Sequence, residues 1–233
     1  MEALKPAFNA LDAIISNIEA ALNASPTKPD HNSSGQPHNA KQSKPSKKEK
    51  KQKKAPVPNV PVETAQFLQC DLRVAQVTSV THHPEADGLF VLQLTYANDV
   101  NKTVCAGLRH YLSDDDMLNR MVVTICNLKP RKLRGIASEA MVLAGSIRSS
   151  EGDKQTVVPI APPEGAAPGS VVSVRGMDGE RTVEDGKFVS GKTWDKIVPR
   201  LGVTNGNACY DGNELVVDGA SVTCDLPDGA EIH

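Results

Sequence analysis

Aromatic side chains are scarce in this chain of 233 residues: four Phe, three Tyr and one Trp. That argues against a binding face built mainly of stacked rings. Cysteine is sparse as well. Cys70, Cys105, Cys126, Cys209 and Cys224 are odd in number and never spaced as C-x-x-C, and three of them lie inside apolar runs. Reduced core thiols fit better than disulfides or zinc ligands, which sets aside a secreted disulfide scaffold and a zinc finger. No apolar run approaches the roughly 18 residues that cross a membrane. The N-terminus lacks the charged-then-apolar order of a signal peptide, so the chain reads as cytoplasmic. Hydrophobic residues make up 39%, little for a chain folded throughout, so part of it is expected to be disordered. Catalytic context is missing too. Ser138, His83, His110, Cys105 and Cys126 have no G-x-S-x-G, P-loop or H-E-x-x-H setting, so no enzyme, no cofactor and no metal is expected.

What the chain does have is charge kept in blocks. The net charge is −2. Residues 41–54 alone hold eight Lys against Glu49, residues 55–148 are neutral, and residues 149–233 hold fourteen acids against seven bases. Such asymmetry points to a polyanionic partner that touches one part of the molecule.

Four pieces follow. In residues 1–24, Leu4, Phe8, Leu11, Ile15, Ile18 and Leu22 recur at intervals of three and four, the seam of an amphipathic helix. A lone helix of this length is marginal in water, so the seam needs a cover. Leu11, Ile15, Ile18 and Leu22 are the expected partner-binding residues, with self-association an alternative use of the seam. The polar face carries Asp12, Ser16 and Glu19, acidic rather than basic, which disfavours a membrane. Residues 25–65 read as a disordered linker, rich in Ser, Asn, Pro, Gly, Gln and Lys. Within it, Lys47, Lys48, Lys50, Lys51, Lys53 and Lys54 form the heart of a cationic arm that gathers phosphates without reading bases. A solubilising or nuclear-targeting tract would have the same composition.

From residue 66 the pattern becomes β. Strands are predicted over 72–80 (with a slip that marks a bulge), 89–96, 102–106, 120–127 and 137–144, and a short helix over 108–112. Five short strands with a helix between the third and fourth is the order of an OB-fold barrel, here over 66–148. The connection between the fourth and fifth strands, Leu128-Lys129-Pro130-Arg131-Lys132-Leu133-Arg134-Gly135, packs four cations into six residues with no acid among them. OB-folds commonly bind oligonucleotides through that connection. Residues 149–233 read as a β-rich extension with a helix over 193–199. Its excess of acid makes it a poor phosphate surface, and packing on the barrel is the better job for it.

Residues 66–231 resemble the tRNA-binding domain family of endothelial monocyte-activating polypeptide II, the auxiliary tRNA-binding subunit of multi-synthetase complexes, and yeast and bacterial relatives. The matching stretches are Asp71-Leu72-Arg73-Val74, His83-Pro84-x-Ala86-Asp87, Asn119-Arg120-Met121-Val122, Asn127-Leu128-Lys129-Pro130, Leu133-Arg134-Gly135 and Ser138-x-Ala140-Met141. Beyond the barrel, Ala161-Pro162-Pro163-x-Gly165, Pro168-Gly169 and the segment 192–199 with Trp194 continue the likeness. The resemblance implies tRNA contact by the basic connection and the Ser-x-x-Met signature. It also implies an extension that imitates the second subunit of a dimeric bacterial form. The expected tRNA-binding residues are Asn127, Lys129, Arg131, Lys132, Arg134, Ser138 and Met141, with Arg73 and Arg109 further off; a Met in a β-run is more often core, and each arginine has a structural ion pair as its alternative. Glu139 stands where relatives carry Gln and sets a negative charge beside this group. The stretch Arg73-Val74-Ala75-Gln76 departs from the Arg-Ile-Gly-like sequence of members processed into cytokines. The chain is therefore expected to be a non-catalytic tRNA-binding protein serving aminoacyl-tRNA synthetases. An assembly scaffold with incidental RNA affinity, or a cleaved and released cytokine-like ligand, are the alternatives.

Overall fold

A computed structural model describes residues 61–148, 155–177, 179 and 181–233. The expected N-terminal helix and the Lys-rich arm lie outside these residues.

The described chain is mainly β. Strand β1 (Leu72–His82) is its axis, because it pairs antiparallel with β2 (Phe90–Thr95) along one half and β4 (Met121–Ile125) along the other. The β1–β2 register shifts between Val77 and Ser79, the bulge that the broken alternation predicts. Strand β3 (Asn101–Ala106) pairs with β2. The segment after β4 forms β5 (Arg131–Leu133), β6 (Ile136–Ser138) and β7 (Met141–Val142), the last paired with β4. One backbone bond all but closes the ring at Glu139, whose N–H donates to the Thr103 carbonyl of β3. This is the OB-fold barrel. The expected fifth strand is broken into pieces, because residues 136–142 must turn from β3 to β4 within a few residues.

Alternate residues of β1 and β4 serve two separate cores. Ala75, Val77 and Val122 point into the barrel with Phe90, Leu92, Leu94 and Val104. Leu72, Val74, Val123 and Ile125 point outward, where Trp194, Ile197, Leu201, Tyr210 and Leu215 of the C-terminal part cover them. A β-strand shows both faces to solvent unless something lies on each; here the extension buries the outer face. Fully burying a Val, Leu or Ile contributes about 1.5–3 kcal/mol, so four such residues make the extension part of the barrel's stability.

The extension is built on a second sheet. Strand β8 (Ala144–Arg148) leaves the barrel and pairs with β9 (Gln155–Pro159) and with β15 (Glu231–Ile232). The sheet continues through β11 (Leu201–Thr204), β12 (Asn207–Tyr210), β13 (Asn213–Val217) and β10 (Ser173–Val174), with β14 (Ala220–Ser221) hydrogen-bonded to β13. At Gly169 (φ +87) an added Cβ would meet Ala97 at 2.5 Å, so this crossing of extension and barrel admits no side chain.

Two expectations need correction. The helix between β3 and β4 is α2 (Asp114–Met117), not residues 108–112. Ser113 caps it: its side chain accepts from the Asp116 N–H while the Asp116 carboxylate accepts from the Ser113 N–H. Leu108 is buried in the barrel core without being helical. The stretch 62–65, assigned above to the linker, is part of helix α1 (Val62–Phe67), held because the Phe67 ring packs on Tyr210 at 4.4 Å. The later helix, α3 (Gly191–Ile197), continues as a 3-10 turn over Val198–Arg200, so the expected 193–199 falls within it.

Candidate nucleic-acid interface

The basic connection is not a loop. Arg131–Leu133 and Ile136–Ser138 form a two-stranded hairpin with Arg131 opposite Ser138, Lys132 opposite Ala137 and Leu133 opposite Ile136. Its two-residue turn puts Arg134 at φ 41 and Gly135 at φ 92. Both angles are positive, as a tight hairpin with the right-handed strand twist requires, and glycine is the residue that takes the second without strain. Pro130 precedes β5, where its missing N–H interrupts no ladder.

Two braces fix the hairpin. His83 is 2% exposed. Its Nδ1 accepts from the Glu85 N–H at 3.1 Å, so Nε2 is the protonated nitrogen of a neutral ring and donates to the Leu133 carbonyl at 3.0 Å. The Arg134 guanidinium donates to the Glu85 carbonyl at 2.6 Å. The turn between β1 and β2 thus grips the tip of the hairpin. At its base, Ser138 Oγ accepts from the Cys105 N–H and donates to the Ala140 carbonyl, each at 3.0 Å.

On this rigid support Lys129, Arg131 and Lys132 are exposed, and none of them makes an ion pair among the described residues. Three like charges are thus held close together with no ion-pair partner among the described residues, an arrangement that braces can hold where mutual repulsion would not.

The remaining expected site residues divide sharply. Asn127 is buried, and its side-chain amide bonds inside the protein, accepting from the Asp71 N–H at 2.9 Å and donating to the Gln69 carbonyl at 2.8 Å. Ser138 is buried with both hydrogen bonds turned inward. Met141 pairs with Ile125 and packs half-buried against the outer core. Arg73 lies at the seam with the extension, bonded to Asp71 at 2.8 Å and to the Gly169 carbonyl at 3.2 Å. Arg109 faces the exposed Asp87 at 3.8 Å on the β1–β2 turn. The exposed Glu139 carboxylate accepts from the Thr103 N–H at 2.8 Å, which ties it to the barrel seam. Sequence reasoning missed His83 as a brace; its place in the His83-Pro84-x-Ala86-Asp87 turn was the available signal.

Beside the hairpin lies a cleft of about 280 Å³ lined by both halves of the protein: Leu133, Ala140 and Met141 from the barrel, Val189, Gly191 and Trp194 from the extension, with Lys129, Arg131 and Asp195 among the charged lining residues. The nearby Cys105 thiol is pushed above its ordinary range by burial, so it is uncharged at neutral pH.

A nearly closed five-stranded barrel with a cationic hairpin between its fourth and fifth strands is the architecture of an OB-fold. The chain belongs to the tRNA-binding domain family: residues 72–171 match the family model described as "Putative tRNA binding domain". It is 32% identical over 219 residues to the aminoacyl tRNA synthase complex-interacting multifunctional protein 1 of Mus musculus, covering 91% of this chain and 67% of that protein. It is also 41% identical over 130 residues to the cytoplasmic tyrosine–tRNA ligase of Danio rerio, which covers 56% of this chain but 22% of the ligase. Among solved structures, the C-terminal domain of Plasmodium vivax p43 superposes with a TM-score of 0.64 at 28% identity, covering 72% of this chain and 98% of that domain.

Proposed function

We propose that the chain is a non-catalytic tRNA-binding protein that delivers or retains tRNA for aminoacyl-tRNA synthetases, as an auxiliary subunit of a multi-synthetase complex in the cytoplasm. The observation that carries it is the braced hairpin, whose exposed Lys129, Arg131 and Lys132 lack a protein counter-ion among the described residues. The name of the Mus musculus relative, a synthase-complex-interacting protein, supports the wider role. Folded tRNA suits this surface, because duplex arms are recognised through shape and backbone and need few rings. Ser138 holds the base of the hairpin, Met141 lines the cleft, Asn127 ties the end of β4 to the Gln69–Asp71 segment, and Arg134 both braces the turn and adds a charge.

Two further modules belong to this reading from the sequence. The Lys run of residues 41–54 adds affinity without selectivity, and the seam Leu11, Ile15, Ile18 and Leu22 attaches a synthetase or another subunit. For the second, Ile15→Asp abolishes co-purification of synthetases while tRNA affinity holds; retention of the synthetases rejects the helix as the attachment point.

The test of the site is the variant Lys129→Ala, Arg131→Ala, Lys132→Ala, which leaves the Arg134 brace intact. Loss of three phosphate contacts flattens the log–log salt dependence of tRNA binding by roughly two to three units. Unchanged affinity in the folded variant rejects the site.

A further inference from the structure

The cleft beside the hairpin offers something that phosphate contacts alone do not use. Its walls are apolar on both sides, with Leu133, Ala140 and Met141 facing Val189 and Trp194 as lining, and Lys129 and Arg131 supply cations. At about 280 Å³ it lies at the low end of ligand-pocket sizes, roughly 300–1,000 Å³. That is room for one flat ring system rather than a folded peptide. Apolar walls accept the flat face of any base, Trp194 lining them with 7% of its surface exposed, and cations beside them take the flanking phosphates. Asp195 contributes one carboxylate, an acceptor for an exocyclic amino group.

We propose that this cleft takes one unpaired nucleobase of the bound RNA, clamped between barrel and extension, with the neighbouring phosphates on Lys129 and Arg131. The proposal rests on the RNA-binding reading of the hairpin. It makes the extension, acidic as a whole, a working wall of the RNA site. Bases splayed from single-stranded loops or ends are the part of an RNA that proteins commonly read.

Trp194 is the chain's single tryptophan, so its emission reports the cleft. The full chain is titrated with an oligoadenylate, a duplex RNA of equal phosphate count, AMP, and tRNA, while a label on each RNA reports binding independently by anisotropy. Oligoadenylate and tRNA are expected to change Trp194 emission. Duplex RNA binds without changing it, and AMP acts only at far higher concentration. Gly191 is exposed and takes no positive φ, and an added Cβ there meets the Arg131 guanidinium at 3.5 Å, an ordinary contact. Gly191→Leu therefore obstructs the cleft without backbone strain. It is expected to abolish the emission change and weaken oligoadenylate binding roughly tenfold, leaving duplex affinity unchanged.

If labelled tRNA binds with Trp194 emission unmoved and Gly191→Leu has no effect on oligoadenylate, the cleft assignment is overturned while the hairpin site stands. AMP binding as tightly as the oligomer overturns the assignment to RNA. Absence of any RNA binding overturns both readings together.

Discussion

Two groups of basic residues in this protein look alike in the sequence and differ in what surrounds them. At the seam between barrel and extension, Arg73 and Arg181 share the Asp71 carboxylate, which is 15% exposed, and Arg73 also donates to the Gly169 carbonyl. Arg175 with Glu214 and Arg200 with Asp211 repeat the arrangement within the extension. On the hairpin, Lys129, Arg131 and Lys132 are exposed and make no ion pair among the described residues. The first group spends its charge inside the protein. The second, on the proposed function, keeps it for a ligand. A cation's role is thus set by whether the fold supplies its counter-ion, and residue type alone does not decide it.

Substitutions can break or sharpen that division. Ser138 tests the support of the free cations. Ser138→Ala strands the buried Cys105 N–H and frees the Ala140 carbonyl, which costs about 2 kcal/mol of stability. Measured well below the melting transition, tRNA affinity is expected to stay within a few-fold, because the hydroxyl points into the barrel. A large affinity loss at unchanged melting temperature would make Ser138 a direct contact instead.

The cationic arm is a third group of basic residues, known from the sequence. Deleting residues 41–54 removes eight Lys and is expected to weaken tRNA and unrelated RNA alike by about tenfold at physiological salt. Selective loss of one tRNA species would show that the arm reads sequence, contrary to this account.

Arg73 represents the paired class. Arg73→Ala is expected to lower unfolding free energy by about 1 kcal/mol, a modest figure because its side chain is 36% exposed and solvent screens the pair. Its tRNA affinity is expected to remain within twofold. A tenfold fall in a stably folded variant would move Arg73 into the RNA surface and erase the contrast.

The smallest effect concerns the thiols. All five cysteines are buried. Burial, reinforced by the Asp71 carboxylate, pushes the Cys70 thiol up to about 12, and burial alone raises Cys105. Thiolate is the reactive form, so native protein at neutral pH is expected to react with a thiol reagent far more slowly than protein in denaturant. Rapid native labelling of Cys105 would show that the cleft opens.

The barrel strands were legible because a strand with both faces covered still sorts its residues two by two. Leu72 and Val74 go one way and Ala75 and Val77 another, with the break in register announcing the bulge. The misplaced helix had a local explanation. Leu108 and Leu112 look like a helical face, yet Ser113-x-x-Asp116 is the start signal that the backbone uses. The hairpin was not legible. Between Arg131 and Ser138 only Leu133, Ile136 and Ala137 are apolar, and Arg-Gly is a weaker turn signal than Asn-Gly.

By itself the sequence determined the kind of barrel, the block of cations between its fourth and fifth strands, and the family, since all three rest on local order along the chain. Only the tertiary structure decided which cations are free. Asp71 meets Arg181 across 110 positions and His83 meets Leu133 across 50, and Trp194 joins Met141 at one cleft. Counter-ions, braces and cleft walls come from residues remote in the chain, and their pairing is fixed by folding rather than by spacing.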